Sequence, residues 1–215
     1  MIDPRITGHL SEMATPYAVI GAVALAVHGA PRYSADIDLM VADTKVLDRN
    51  FWSNAPIFPI ELRRGDWDDP LAGLAVFPIA PGAMPVEVVV GKGYAVRFAL
   101  ETAQENAQLG CPVVTPLGLA LLKLEAGGTR DIHDLLALDE AQQALTGWSL
   151  TNAVEPHVDK LSRLAQGAWV RLKALLSPEI KSPVEDTPRS LPTAPPAKPK
   201  ESPPTEEPGS REGSR

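Results

Sequence analysis

The sequence has little cysteine, few aromatic residues and no long apolar run. Its 215 residues contain one cysteine, Cys111, which excludes an intrachain disulfide and a cysteine-rich zinc site. Aromatic residues make up only 5% of the chain. No apolar run reaches the length of a membrane span, and the N-terminal segment lacks the apolar stretch of a signal peptide. We therefore expect a cytoplasmic protein with no membrane partner.

Basic residues are fewer than acidic ones. The chain has 20 lysines and arginines against 27 aspartates and glutamates, so its formal net charge is -7. A protein that holds nucleic acid through a broad basic surface needs the opposite balance. The composition argues against that class and leaves a local basic patch open.

Proline is abundant, and its distribution divides the chain. The 22 prolines are concentrated near the C-terminus, where residues 177–215 contain almost no large apolar side chain. Such a segment cannot bury enough apolar surface to offset the entropy lost on ordering. We predict one folded domain over 1–176, with a core of about 16–140 and a C-terminal helical part at 141–176, followed by a disordered Pro/Ser/Glu-rich tail over 177–215.

The most informative stretch runs from Tyr17 to Val41. An apolar strand is predicted at Tyr17–Ile20, a turn at Gly21 and a helix at Ala22–His28, which ends at Gly29, Ala30 and Pro31. The run that begins at Asp36 alternates acidic and apolar side chains, as a strand with one buried face does.

Two carboxylates lie on one face of that strand. Asp36 and Asp38 are two residues apart, so both point to the same side of a sheet. Repulsion between them is relieved most easily by a hard divalent cation such as Mg²⁺. The alternative is a strand that follows an acidic loop, because aspartate is common in turns.

A third acid strengthens the metal hypothesis. Glu87 lies in the middle of the strongly β-prone run Met84–Val90, where an unpaired charge is costly. Next to the strand of Asp36 and Asp38 it would complete a cup of three carboxylates for one or two metal ions. The alternative is an exposed position on the open face of a sheet.

These motifs resemble the nucleotidyltransferase fold. Its pattern of an apolar residue, a Gly turn, Asp-apolar-Asp and a third acid between apolar residues is matched in order by Ile20-Gly21-Ala22, Asp36-Ile37-Asp38-Leu39 and Val86-Glu87-Val88. Further residues resemble the small bacterial proteins related to the AbiEii abortive-infection toxins, namely Ala24, His28-Gly29, Arg32, Ser34, Leu122-Lys123-Leu124 and Arg130-Asp131-Ile132-His133-Asp134-Leu135. The resemblance spans roughly Tyr17 to Leu138.

The resemblance implies an α/β (α+β) fold: a mixed β-sheet with flanking helices. It also implies metal-dependent transfer of a nucleotidyl group from an NTP to a hydroxyl of RNA or protein. The implied enzyme is either a toxin with a cognate antitoxin or an orphan nucleotidyltransferase. The implied catalytic residues are Asp36, Asp38, Glu87 and Lys123, of which the three acids bind Mg²⁺. The implied nucleotide-binding residues are Gly21, Ala22, Arg32, Ser34 and Asp131.

Two positions leave alternatives open. Lys123 is a lone cation in an apolar helix, so it points at an anion in the site, extends to the surface or pairs with Asp131. Ala22 stands where the pattern has Gly or Ser, and no side-chain hydroxyl is present to bind a phosphate. A non-catalytic nucleotide-binding or regulatory module is therefore a rival reading. A third is an antitoxin-like or scaffold partner that acts through its C-terminal helices and tail.

The remaining pattern is typical of short helices and strands. Helices are predicted at Pro4–Ala14, Thr44–Trp52, Tyr94–Leu109 and Leu117–Glu125. Another helix is predicted to begin at Arg130, and apolar residues recur at helical spacing over Leu150–Leu176. Strands are predicted at Ile57–Leu62, Leu74–Ile79 and Cys111–Val114. Prolines in the two strands before Pro81 favour positions at a sheet edge.

Overall fold

The protein was studied as a computed structural model, which describes residues 2–65, 71–77 and 84–177. In chain order, the strands are β1 Tyr17–Val19, β2 Ile37–Val41, β3 Glu61–Arg64, β4 Leu71–Phe77, β5 Val86–Gly91, β6 Gln104–Asn106 and β7 Cys111–Val113. Within the described residues they form one mixed sheet in the order β3-β4-β5-β2-β1-β7-β6. The pairs β2–β5 and β1–β7 are parallel, and the others are antiparallel.

Helices connect and cover the strands. They are α1 Pro4–Glu12, α2 Gly21–Val27, α3 Gly93–Glu101, α4 Pro116–Ala126, α5 Thr129–Thr146, α6 Leu150–Val154 and α7 Arg163–Leu176, with 3₁₀ turns at Thr44–Leu47, Arg49–Trp52 and Glu155–Lys160. The expected α/β fold, a mixed sheet with flanking helices, is confirmed.

The two faces of the central strands differ. Leu39 on β2 and Val88 on β5 are completely buried on one face, which also carries Phe77. The ring of Trp52 packs edge-on against Phe77 with 4.7 Å between centroids. Since side chains alternate along a strand, Asp38 belongs to the opposite face. The aromatic core thus fixes which face presents the acids.

The predicted helix at Thr44–Trp52 is instead two 3₁₀ turns. Asp48 has an extended backbone, with φ of -101° and ψ of 132°, and its side chain accepts a hydrogen bond from the backbone N–H of Asn50. This second cap interrupts the helix. The first of the two turns is capped by Asp43, whose side chain accepts a hydrogen bond from the N–H of Lys45.

The strands before Glu87 are displaced from their predicted bounds. β3 begins at Glu61, after Pro59, which has no N–H to donate to a ladder. It lies at a sheet edge, as expected. β4 spans Leu71–Phe77 and lies between β3 and β5, so its prediction as an edge strand is wrong. Ile79, the predicted end of that strand, lies outside the described residues.

The predicted helix Tyr94–Leu109 is too long. α3 ends at Glu101, where the Thr102 hydroxyl donates to the carbonyl of Phe98. The chain then forms β6, and the side chain of Asn106 accepts hydrogen bonds from two backbone N–H groups in the turn to β7. The helical spacing of apolar residues continues as far as Leu109, although the side chain of Asn106 forms a turn before that point. The spacing therefore predicted a helix that is too long.

The C-terminal helical region is broken into three segments. α6, a 3₁₀ turn containing Pro156 and α7 follow one another, and Ser162 caps α7 by accepting from the N–H of Ala165. Leu164, which the spacing placed on the buried side, is 61% exposed. The predicted disordered tail lies outside the described residues beyond Ser177.

α1 ends two residues before the predicted Ala14, and Met13 is exposed, whereas Leu10 is buried as expected. The predicted helix at Leu117–Glu125 is confirmed as α4, whose first turn is capped by the Thr115 hydroxyl.

Among the described residues, none of the helices is both long and apolar enough to span a membrane.

Candidate active site

Asp38 and Glu87 are neighbours across two parallel strands. β2 and β5 pair in register with Asp38 opposite Glu87. Residues paired in this way point to the same face of the sheet. The two carboxylates are thus held side by side by backbone hydrogen bonding, although they are 49 positions apart in the sequence.

Asp36 lies just before β2, within electrostatic reach of both acids. Its carboxylate accepts a hydrogen bond of 2.7 Å from the Ser34 hydroxyl. The charge of Asp36 raises the pKa of Asp38 and of Glu87, though burial is the larger cause in each case. Ser34 thus orients one acid of the group of three.

The pKa of Asp38 is raised well above the ordinary value of an aspartate. Burial, followed by the charges of Asp36 and Glu87, raises its pKa to about 6, and the cations Arg32 and Lys123 oppose this only in part. A carboxyl group that lacks sufficient positive charge nearby responds in this way. The site therefore has a deficit of positive charge at neutral pH.

Glu87 is influenced by a second pair of charges on β3. Its pKa is raised by burial and by Asp36, lowered by Arg63 and raised by Glu61. Arg63 donates two hydrogen bonds to the Glu61 carboxylate, of 2.5 and 2.8 Å. Arg63 and Arg64 are both exposed on β3.

Gly21 is required by the position of Asp38. Its φ is +63°, which side chains other than hydrogen rarely allow. A Cβ at this position would overlap the Oδ2 atom of Asp38 and lie 3.1 Å from its Cγ. The turn after β1 therefore places backbone directly against the central carboxylate. Ala22 follows it in α2, and its side chain is buried.

The donor chemistry at this face fits a hard divalent cation, because carboxylate oxygens are the ligands that Mg²⁺ prefers. The pKa of Asp38 is raised in part by the negative charges of Asp36 and Glu87, and a bound cation would offset this negative charge. Within the described residues, however, no group of three His, Cys, Asp or Glu side chains is arranged to hold a metal ion. The strands that carry Asp38 and Glu87 are paired as the predicted cup requires, but among the described residues the three carboxylates are not arranged to bind one ion together.

Lys123 lies in a buried network of charges. Its Nζ atom is 3.1 Å from Oδ1 of Asp131 and 2.5 Å from Oδ2 of Asp134, and the residue is only 6% exposed. Asp131 also accepts from the N–H of Gly128 at the start of α5. The structural pairing left open by the sequence is therefore present, and surface extension of Lys123 is wrong.

Asp134 joins this network to the loop before β2. It is 6% exposed, and its carboxylate pairs with the Nε atom of Arg32 at 3.0 Å as well as with Lys123. Asp134 was not among the predicted site residues. Asp134 could have been identified from its spacing, because it lies three residues after Asp131 and residues three apart lie on one helix face.

A cavity of about 560 Å³ opens beside Asp38. Gly21, Arg32, Lys123 and Asp131 also line it. Of the predicted site residues, these five therefore share one cavity, whose volume is within the range of pockets for small ligands and cofactors. Asp36, Glu87, Ala22 and Ser34 are not among its lining residues.

The two histidines in the resembling motifs have ordinary surroundings. His28 is half-buried, and its Nε2 is 2.7 Å from the carbonyl oxygen of Val114. Burial lowers its pKa. His133 is exposed on α5. Neither observation points to a ligand role.

No protein-family description matches the chain, and no curated protein matches it. Several solved structures resemble it, three of them with the following identity, coverage and TM-score. An antigenic nucleotidyltransferase-like protein from Paracoccidioides brasiliensis is 18% identical with a TM-score of 0.49, over 82% of this chain and 87% of that one. The antibiotic-resistance factor ANT(2'')-Ia is 14% identical with a TM-score of 0.44, over 80% and 91%. ANT(2'')-Ia in complex with adenylyl-2''-tobramycin is 12% identical with a TM-score of 0.42, over 80% and 95%.

Proposed function

We propose that this chain is a metal-dependent nucleotidyltransferase, which transfers a nucleotidyl group from an NTP to a hydroxyl of RNA or protein. The observation that carries the proposal is the placement of Asp38 beside Glu87 on paired parallel strands, within the field of Asp36. Three acids with a deficit of nearby positive charge suit a divalent cation and the phosphates that it binds.

In the proposed reaction, the acceptor hydroxyl oxygen attacks the α-phosphorus of the NTP. A new O–P bond forms, the bond from the α-phosphorus to the bridging oxygen breaks, and pyrophosphate leaves. Mg²⁺, when bound, would neutralise the phosphate charge and polarise the phosphoryl group. Glu87 would accept the hydroxyl proton, a role that its raised pKa favours.

The other residues of the site would hold and orient the reactants. Asp36 and Asp38 would bind the cation, and Ser34 would keep Asp36 oriented through the bond that it donates. Gly21 would allow phosphate oxygens to approach the backbone beside Asp38. Arg32 and Lys123 would add positive charge at the cavity. Because Asp134 pairs with both of them and Asp131 pairs with Lys123, part of this charge is already neutralised.

We also propose, from the AbiEii-like motifs, that the chain acts as a toxin with a cognate antitoxin. The test is to induce wild type and the double variant Asp36→Asn/Asp38→Asn in cells and to compare growth. Mass spectrometry of RNA and protein then looks for a nucleotide adduct made by wild type alone. An unchanged growth rate with no adduct contradicts both the toxin role and the acceptor classes.

The activity itself is tested with purified protein. Pyrophosphate release is measured with each of the four NTPs, Mg²⁺ and extracts of RNA or protein as acceptor, and wild type is compared with the double variant. We expect release that depends on Mg²⁺ and is lost in the variant. Equal release from both proteins would contradict the assignment of the acids.

Ala22 motivates a second candidate, a nucleotide-binding module without turnover. The position has no hydroxyl, and Ala22 is buried, so the phosphate would meet backbone alone. Nucleotide binding without release of pyrophosphate, for every NTP and acceptor, would favour this candidate over the enzyme.

A further inference from the structure

The cavity beside Asp38 has a large aliphatic part. Val96 on α3 and Leu119 and Leu122 on α4 line it, together with Met40 and Val89 from the sheet. None of the described residues that line it is aromatic. A flat group inside would therefore meet aliphatic side chains on its faces.

Two exposed leucines lie at this same cavity. Leu71, at the start of β4, is 42% exposed, and Leu164, in the first turn of α7, is 61% exposed. Both belong to its lining, though they come from opposite ends of the fold in sequence. Large apolar side chains that remain exposed around a concave site mark a place where a ligand covers them.

Hydrogen bonds hold the first turn of α7, which carries Leu164. The N–H of Ser162 donates to the Glu125 carboxylate on α4 at 3.0 Å, and the Ser162 hydroxyl accepts from the N–H of Ala165 at 3.1 Å. The first turn of α7 is therefore tied to the helix that forms the cavity wall. A leucine held in this way is preorganised for contact.

Charge and apolar surface are arranged along one helix. Leu119 is three residues from Leu122 and four from Lys123, and Ala126 is four and three residues from the same two, so one side of α4 carries both aliphatic side chains and the cation. Arg32 and Asp38 share the cavity with them. Such a lining complements a ligand with an uncharged flat group and a charged group.

We infer that the aliphatic part of this cavity binds the nucleobase of the nucleotide, and that it holds purine bases more tightly than pyrimidine bases. The inference rests on the proposed function, since that supplies the nucleotide. Contact with aliphatic side chains is favourable in proportion to the apolar area covered, and two fused rings present more area than one. Leu164 covers an outer face of the base.

The test measures binding without turnover. The probes are the α,β-methylene analogues of ATP, GTP, CTP and UTP, from which pyrophosphate cannot be released, and inorganic triphosphate, which has no base. Dissociation constants are measured by calorimetry with Mg²⁺ for wild type, Leu164→Ala and Val170→Ala. Val170 is the matched control, because it is 66% exposed on the same helix and does not line the cavity.

We expect both purine analogues to bind wild type about fivefold more tightly than both pyrimidine analogues. Leu164→Ala should weaken the purine analogues by about three- to tenfold. It should leave inorganic triphosphate unchanged, and Val170→Ala should leave every constant unchanged. Because both side chains are exposed, both variants should fold, which circular dichroism checks.

Three results would overturn the inference: pyrimidine analogues that bind as tightly as purines, a Leu164→Ala variant with unchanged purine affinity, or an equal loss for triphosphate. These leave the enzyme proposal standing if pyrophosphate release is observed. Base-dependent binding without pyrophosphate release overturns the enzyme proposal alone. Absence of nucleotide binding by wild type overturns both.

Discussion

The carboxylate of Asp38 lies in the space that a side chain at Gly21 would occupy. A Cβ there would overlap Oδ2 of Asp38, and the φ of +63° already restricts the position to glycine. The turn after β1 and the acid on β2 are therefore one structural unit. Any side chain at position 21 must displace the carboxylate or the backbone.

Gly21→Ala should consequently lower the free energy of unfolding by about 2–4 kcal/mol, from backbone strain and the overlap together. The control is Gly8→Ala in α1, where an added Cβ meets nothing within 4 Å. That variant should gain about 0.5–1 kcal/mol, because alanine is the better helix former. Urea denaturation measures both, and equal stability of the two variants would contradict the relationship.

Asp38→Asn should stabilise the protein at neutral pH. The folded pKa of about 6 lies above the ordinary aspartate value of 3.8, so the native state holds its proton more tightly than the unfolded chain. Stability is therefore lost as pH rises from about 4 to 6, and the loss is complete above pH 7. Removing the charge should recover about 1–3 kcal/mol at pH 7.5 and almost nothing at pH 4.

The measurement is urea unfolding of wild type and Asp38→Asn across this pH range. Glu101→Gln, which removes an exposed acid on α3, serves as the control for the loss of one carboxylate. A gain for Asp38→Asn that is the same at pH 4 and 7.5 would show that burial of the charge is not its cause.

Mg²⁺ should stabilise wild type more at pH 7.5 than at pH 5, since protons compete with the cation for Asp38. With Mg²⁺ at 10–100 times its dissociation constant, the gain should be about 1–3 kcal/mol. Thermal unfolding is compared in MgCl₂, in EDTA and in KCl of equal ionic strength. Asp38→Asn should lose the gain; a gain that survives in this variant places the cation elsewhere.

Sequence patterns selected the three acids, including the distant Glu87, but not the pairing of Lys123 with Asp134. Alternation within one strand put Asp36 and Asp38 together, and the cost of a lone charge in a β-prone run selected Glu87. The pairing of Lys123 with Asp134 depends on how α4 and α5 pack, which periodicity does not determine. The exposure of Leu164 depends on the cap at Ser162, which starts a new helix where the apolar spacing appeared continuous.

Hairpin formation was the other feature missed. The run after Gly93 is apolar at helical spacing as far as Leu109, but Asn106 makes a turn with its own side chain, and β6 then pairs with β7. A short polar strand such as Gln104–Asn106 has no apolar pattern of its own. Its formation depends on the neighbouring strand, which is a tertiary effect.

The carboxylates that pair with Lys123 should differ in their importance. Asp134 is 6% exposed and pairs with both Lys123 and Arg32, whereas the Asp131 side chain is 23% exposed and pairs with Lys123. Loss of one partner from a buried ion pair leaves an uncompensated charge. Asp134→Asn should therefore lower the free energy of unfolding by about 3–5 kcal/mol, and Asp131→Asn by less.

Lys173→Met is the matched control, because its pair with Glu155 is exposed and should contribute far less to stability than a buried pair. The double variant Lys123→Met/Asp134→Leu should be less destabilised than the sum of its single variants, since it removes both buried charges together. Urea denaturation of the four proteins in this cycle gives the coupling energy. Additive effects would mean that Lys123 and Asp134 do not stabilise each other, and Lys123 would then be left without its structural role.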